Sequence, residues 1–424
     1  MIAAHELPRL LRGVQDGGTL TLARHLRVHG PLPAPGRGAG PQLLDLVERS
    51  GLRGHGGAHV STALTLRAVA NRRRRAIVVA NGSESEPASA KDTVLLARAP
   101  HLVIDGAMVA AAAVGADEAI LYVKRPGERA WNALAAALAE RGHARRGQPS
   151  LRLAAAPPSY VSGQETAVIA HLNGRPALPT TVPPRPFERG VRGRPTLVCN
   201  VETLAHMALI ARHGAEWFRA LGSASQPGTG LVTLGGAVAD PGVYEIAFGS
   251  PLADVVRRAG GVTERPQALL VGGYGGTWLD AQHMDDLTLS EGDPLLSAGS
   301  IGAGVLWVLG AGTCGVHESS RVLDYLAAES AGQCGPCLIG LRAIADSFHL
   351  VARGTAGAHE LTQLLRWGAD VTDRGACRHP DGAARFLGSA LKAFAGEIDH
   401  HRAGRCTAVH APSLPLPTAR RAAA

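Results

Sequence analysis

Short β-rich runs alternate with Ala-rich helical stretches from Leu44 to about Leu221. Ala76–Ala80, Ala119–Val123 and Leu197–Cys199 read as strands, while Ala107–Ala113 and Ala130–Arg141 read as helices. Such alternation predicts an α/β layer on a largely parallel sheet. After the Gly/Ser-rich break Gly222–Gly230, the run Leu231–Gly236 leads through Asp240-Pro241-Gly242 into Val243-Tyr244. A Pro-Gly turn there joins two strands. Leu252, Val255 and Val256 then space a short helix closed by Gly260-Gly261, and Leu269–Gly272 returns to strand. This order predicts a small β-grasp domain. From His317 onward the period is helical, with Val322, Tyr325 and Leu326 on one face, then Leu341–Val351 and Leu361–Leu365.

These patterns divide the chain into an N-terminal segment (1–43) closed by the Pro/Gly-rich Gly30–Pro41, an α/β domain (44–226), a β-grasp domain (227–308), a helical domain (309–403) and a loose Pro/Ala/Arg-rich tail (404–424). A length of 424 residues agrees, since about three or four cores fit such a chain. Apolar residues at 46%, charged residues at 18% and 53 glycines exclude bulk disorder and imply many close backbone approaches.

The net charge of +8 comes from 43 Lys and Arg that are spread out except at Arg72–Arg75, and only 4% of residues are aromatic. Without interleaved aromatics to stack bases, nucleic acid is not an expected partner. A diffusely solvated basic surface, an acidic redox partner or an anionic membrane face each fit. Met1–Leu11 does not read as a signal peptide, and the longest apolar stretch, Leu102–Val114, contains Asp105 and is too short to span a bilayer. A cytoplasmic protein is therefore expected, and in a reducing compartment Cys-x-x-Cys points to metal or redox chemistry.

That pair is Cys334-Gly335-Pro336-Cys337, with Cys377 further on. Thiolates two residues apart on a turn reach two iron corners of one cluster, and a distant cysteine closes the cage. Spacing alone leaves open a zinc site that also uses His379, a redox dithiol, or buried thiols. The segment Arg53-Gly54-His55-Gly56-Gly57-Ala58 lets backbone N–H groups approach a phosphate or a planar ring, although a plain tight loop reads the same way. Ala76–Ala80 delivers Asn81-Gly82-Ser83-Glu84-Ser85-Glu86-Pro87 and Lys91-Asp92 to the C-terminal end of a strand, where α/β folds bind ligands. Tyr160–Thr166 and Val198–Thr203 open helical runs; each also reads as a helix N-cap with Glu in the first turn.

Taken in order, these segments resemble the NADH-binding FMN and iron–sulfur flavoprotein subunit of respiratory complex I, across about Gly51 to Leu391. The resemblance rests on Gly54, Gly56, Gly57 and Ala58; on Asn81, Glu84, Glu86 and Pro87; on Tyr160, Gly163, Glu165 and Thr166; and on Asn200, Glu202 and Thr203. The helical region matches at Glu329-Ser330, Gly332-Gln333-Cys334, Pro336-Cys337, Cys377 and Asp381. It implies a Rossmann-like FMN domain, an SLBB-like β-grasp domain and a helical iron–sulfur domain.

The resemblance also implies an oxidoreductase passing electrons from NAD(P)H through FMN and an iron–sulfur cluster to a ferredoxin-like or membrane redox partner. Gly54–Ala58 and the Gly163-Gln164 turn would hold the flavin, with Asn81 and Asn200 bonding it and Glu84 and Thr203 beside them. Glu86 and Glu165 would face the nucleotide, and Cys334, Cys337 and Cys377 the cluster. This chain departs from the family at Ala331, which replaces the first cluster cysteine, leaving a fourth corner that is open or filled by Cys314, Cys406, a histidine or another subunit. It departs again at His59-Val60, Thr65, Ser83 and Gln164 in the nucleotide pocket. Two further readings follow: a flavin and iron–sulfur relay that no longer uses NADH, and a cofactor-poor scaffold whose β-grasp domain binds a partner.

Overall fold

The computed structural model describes residues 5–14, 17–33, 38–142, 147–296, 301–406, 408–409 and 412–417. Strands β1 (Ile77–Gly82), β2 (Glu118–Lys124), β3 (Ser150–Ala156) and β4 (Thr196–Asn200) form a parallel sheet in the order β3-β2-β1-β4. The β1 sequence IVVANG is apolar at successive positions because helices cover both faces of a parallel sheet. Val78 and Ala80 join the larger core, and Ile77 and Val79 the smaller one on the opposite face.

Helices Pro100–Val114 and Val201–His213 cross on the larger face, where a Cβ on Gly106 would lie 1.9 Å from the Leu204 carbonyl oxygen. Only glycine permits that approach. Asp105, the charge within the apolar run, is buried with His25 Nε2 at 2.7 Å and Arg141 at 2.7 Å, and also pairs with Arg212. The pairing explains how an acid is tolerated in that core. No single helix among the described residues is long and apolar enough to cross a membrane.

The second sheet holds β5 (Thr229–Gly236), β6 (Gly242–Ala247), β7 (Pro266–Val271), β8 (Thr277–Asp280) and β9 (Val305–Gly310) in the order β6-β5-β9-β7-β8. β5 pairs antiparallel with β6 and parallel with β9, and helix Leu252–Arg258 contributes Leu252, Val255 and Val256 to the core on this sheet. The order is the one expected of a β-grasp unit. Helices Gly315–Ala328, Leu341–Ala352, Ala358–Val371, His379–Ala393 and Ala395–Arg402 complete the chain.

The segment before residue 44 is less separate than its Pro/Gly content suggests. Glu245 accepts the backbone N–H of Arg9 and Leu10, each at 2.8 Å, and the buried Arg9 guanidinium donates to the carbonyls of Trp217 and Phe218. The expected boundary at 43/44 falls inside helix Ala39–Ser50, and that at 308/309 inside β9. The tail also departs from expectation. Ser413 and Leu414 donate their N–H groups to Glu318, and Tyr274 donates its hydroxyl to the Pro415 carbonyl. Those bonds and the burial of Leu414 hold residues 412–417 against the helical domain, whereas residues 418–424 lie outside the described residues.

Candidate functional site

All twelve residues expected to bind cofactor line one cleft of about 1790 Å³: Gly54, Gly56, Gly57, Ala58, Asn81, Glu84, Glu86, Gly163, Gln164, Glu165, Asn200 and Thr203. The cleft lies at the C-terminal ends of β1 and β4, as strand-to-helix loops in an open parallel sheet dictate. Cys377 and His379 of the helical domain line the same cleft.

The glycine loop runs from the Arg53–Ser61 bridge into helix Thr62–Ala70. Gly57 has φ of +98°, a conformation that strains any residue with a Cβ. The loop is tied down when His55 N–H donates to Thr203 Oγ1 at 2.8 Å. Thr62 Oγ1, at the start of the helix that follows, is buried in the cleft wall without a partner, as is His59 Nε2. A glycine-lined turn, a helix N-terminus and orphaned buried polar atoms suit a phosphate-bearing planar ligand.

Beneath the loop lies a charged network whose mutual pairing the sequence does not reveal, although Lys91-Asp92 and Glu202 are each among the residues it brings to the strand ends. Glu202 accepts from Lys91 Nζ at 2.7 Å and sits 2.9 Å from His55 Nδ1, while Lys91 also reaches Asp92 at 2.9 Å. Burial raises the Asp92 carboxyl to about 6, against the pull of Lys91. Burial also disfavours the Glu202 charge, but Lys91 and His55 hold its carboxyl far below the usual range. The adjacent Lys91-Asp92 pair, following an acidic strand-end loop, was the available signal.

Several expected ligand side chains are committed within the chain. Asn81 Nδ2 donates to the Gly163 carbonyl at 2.8 Å and its Oδ1 accepts from Ser83 Oγ at 2.9 Å, so Asn81 clamps two cleft loops together. Asn200 caps helix Val201–His213 through Glu202 N–H at 2.9 Å and donates to Asp92 at 2.7 Å. Gln164 caps helix Glu165–Leu172 through Thr166 N–H at 2.8 Å, and Glu84 takes the N–H groups of Asp92 and Thr93, each at 2.8 Å. A Cβ on Gly163 would meet Ser85 Oγ at 2.7 Å and Ser83 Oγ at 2.8 Å.

Glu86 has a different setting. Burial pushes its carboxyl up to about 7, although Tyr274 N–H at 2.9 Å, Ala88 N–H at 3.3 Å and Tyr160 O–H at 3.3 Å all stabilise the charged form. Tyr160 continues to the helical domain, where its N–H donates to Glu329 at 2.7 Å and its ring lies 5.3 Å from that of His379. One aromatic side chain thus joins the glycine-lined end of the cleft to the cysteine end.

Cys334 and Cys337 share a hydrogen bond and Cys377 stands near both. Burial opposes ionisation of Cys334, yet N–H groups of Ala376 and Cys337 bring its thiol below the ordinary value, while burial and the Cys334 neighbour push Cys337 up to about 11. Three gathered thiols fit three corners of a cluster. Two candidates for the fourth corner are corrected: Cys314 and Cys406 group instead with His317 and His401, because Cys314 caps a helix whose first turn packs on the chain end carrying Cys406.

Residues 47–209 match the family described as the Nuo51 FMN-binding domain, residues 231–277 the SLBB domain, and residues 318–401 the NADH-ubiquinone oxidoreductase-F iron-sulfur binding region. The F subunit of NADH-quinone oxidoreductase from Mycobacterium tuberculosis is 33% identical over 384 residues, covering 86% of this chain and 85% of that protein. The second F subunit of the same enzyme from Rhizobium meliloti is 31% identical over 380 residues, covering 86% and 90%. Among solved structures, NAD+-reducing [NiFe]-hydrogenase in the H2-reduced state superposes with a TM-score of 0.77 at 32% identity. That match covers 86% of this chain but only 63% of the hydrogenase chain. The fold, the ordered cleft segments and these identities lead to one assignment: the chain belongs to the family of NADH-quinone oxidoreductase F subunits.

Proposed function

We propose that this chain is the electron-input subunit of a multi-subunit oxidoreductase, holding FMN in the cleft and an iron–sulfur cluster on Cys334, Cys337 and Cys377, with NAD(P)H as donor. The observation that carries the reading is the convergence of four strand-end and loop segments on one cleft that Cys377 also lines. When bound, FMN supplies the conversion of a two-electron hydride into single electrons.

This chain's residues bind, orient and exclude. Gly56, Gly57 and Ala58 offer backbone N–H groups, with Thr62 Oγ1 as a free hydroxyl at the phosphate end, while Gly54 N–H closes the loop on the Val60 carbonyl at 2.8 Å. Asn81, Asn200 and Thr203 fix the loops so that these donors stay in place. Glu86, poised near neutrality between Tyr160 and Tyr274, holds a proton beside the nucleotide end, with Glu165 at its rim. The acceptor is a ferredoxin-like or membrane redox protein, and the chain works in the cytoplasm, peripheral to the membrane face.

A second reading has a specific support. Gln164 is spent as a helix cap and Ser83 on Asn81, so two nucleotide-pocket positions offer no carboxylate. In that case flavin and cluster remain while NADH does not act as donor. The purified protein separates these readings: flavin, iron and sulfide are expected in both, and anaerobic bleaching of the flavin by NADH in the first only.

A further inference from the structure

Cys314, His317, His401 and Cys406 bring one ligand atom each to a common point, all within 4.8 Å of one another. Two of the four, Cys314 and His401, are buried, and the other two face the surface. Cys314 Sγ and His401 Nε2 lie 3.3 Å apart, close to the roughly 3.5 Å that separates two ligands on one tetrahedral ion with bonds of about 2.0–2.3 Å.

The surroundings orient these atoms. His401 Nδ1 donates to the Ala352 carbonyl at 2.7 Å, which leaves Nε2 with its lone pair toward Cys314. The same carbonyl accepts from the His317 ring, and the two rings meet edge to face with centroids 5.0 Å apart. Cys314 sits at the N-terminus of helix Gly315–Ala328 and accepts His317 N–H at 3.3 Å, which fixes its sulfur beside the two imidazoles. Glu397 stands 3.6 Å from His401 Nε2 and adds a carboxylate beside the group. Among the described residues, none of the three cluster cysteines joins this group.

We infer that Cys314, His317, His401 and Cys406 form a second metal site, a closed Cys2His2 zinc site separate from the iron–sulfur cysteines. Two thiolates and two imidazoles are a borderline-soft, four-coordinate set that suits Zn2+ and leaves no position for substrate, so its role is structural. Zinc enters as the two thiol protons leave. The ion staples the end of helix Ala395–Arg402 and the following residues to the start of helix Gly315–Ala328. Beyond the staple, the chain continues to Leu414 and Pro415, which bond Glu318 and the Tyr274 hydroxyl, and Tyr274 N–H holds Glu86 in the cleft. The site therefore secures a segment that supports the nucleotide end.

Zinc, iron and flavin are measured together on the full chain purified with its cofactors, with Cys406→Ser, His317→Ala and Cys334→Ser variants in parallel. About one zinc per chain is expected in the wild type and in Cys334→Ser, which loses iron instead. Cys406→Ser and His317→Ala, both altered at the surface, are expected to lose at least about nine-tenths of the zinc while keeping flavin and iron. Cobalt(II) added to the zinc-stripped protein should give the visible bands of a tetrahedral thiolate site in the wild type and not in Cys406→Ser. Zinc retained in Cys406→Ser but lost in Cys334→Ser would overturn the proposal, as would a zinc-free wild type with Cys314 and Cys406 joined as a disulfide or fully alkylatable. Because flavin and iron are read separately, absence of those cofactors would count against the proposed function and not against this site.

Discussion

Lys91 Nζ lies 2.7 Å from Glu202 Oε2, and both side chains are almost wholly buried beneath the glycine loop. The pair links the first helix after β1 to the first turn after β4 and, through His55, to the loop itself. Removing one partner leaves an uncompensated charge in the core. Lys91→Ala is expected to destabilise the protein by about 3–5 kcal/mol and to lower flavin retention, measured by thermal unfolding and bound-flavin absorbance. Lys91→Met combined with Glu202→Gln should recover part of that loss, because Glu202 is then neutral while Asp92, deprived of Lys91, keeps the Asn200 amide.

Gly57→Ala tests the loop without altering charge. At φ of +98° an alanine is strained by about 1–2 kcal/mol, and relief moves the N–H groups that face the cleft. Flavin affinity is expected to fall at least about tenfold, by fluorescence titration of the apoprotein with FMN, while the far-ultraviolet spectrum stays unchanged.

Glu86 gives a pH signature. Its carboxyl is raised by burial from the ordinary 4.5 to about 7, so the folded state holds the proton more tightly than the unfolded chain. The contribution to stability is complete below the unfolded value and is lost as pH rises through about 7. Glu86→Gln stays neutral throughout. Unfolding of the two proteins between about pH 5 and 8 should diverge by up to about 3 kcal/mol, with the wild type losing stability relative to the variant as pH rises. Asp92 and Glu245 titrate in the same window in both proteins, so the difference between them is the readout.

Ala331→Cys restores the fourth thiol of the family's cluster motif. Iron content is expected to rise toward about four per chain and to survive air longer than in the wild type, measured by iron and sulfide assay. Cys377→Ser should lower it in the same assay.

Much of the first sheet was legible because β1 and β2 are continuous apolar runs, and both Ala-rich helices were read near their true positions. Strand β3 was not, since SLRLAAA lacks β-branched residues and becomes a strand by pairing with β2 along one edge. Helix Ala39–Ser50 was hidden by Pro41, which its first turn accommodates. The cleft segments were found by motif, but the use of their side chains only in part. The N-caps at Gln164 and Asn200 follow from the helix starts that the sequence marks, whereas Asn81 and Glu84 look like free ligands in sequence and become clamps once the loops fold together. The grouping of Cys314 with Cys406 depends on bringing the two ends of the helical domain together, which no local spacing encodes.

Anaerobic titration with NADH, followed by flavin absorbance and electron paramagnetic resonance, tests the central claim most directly. In the wild type NADH is expected to bleach the flavin and raise a reduced-cluster signal. In Cys377→Ser the flavin should still bleach while the cluster signal is lost. A flavin that dithionite reduces but NADH does not would contradict the assignment of NADH as donor, and a purified protein without flavin would contradict the cleft assignment itself.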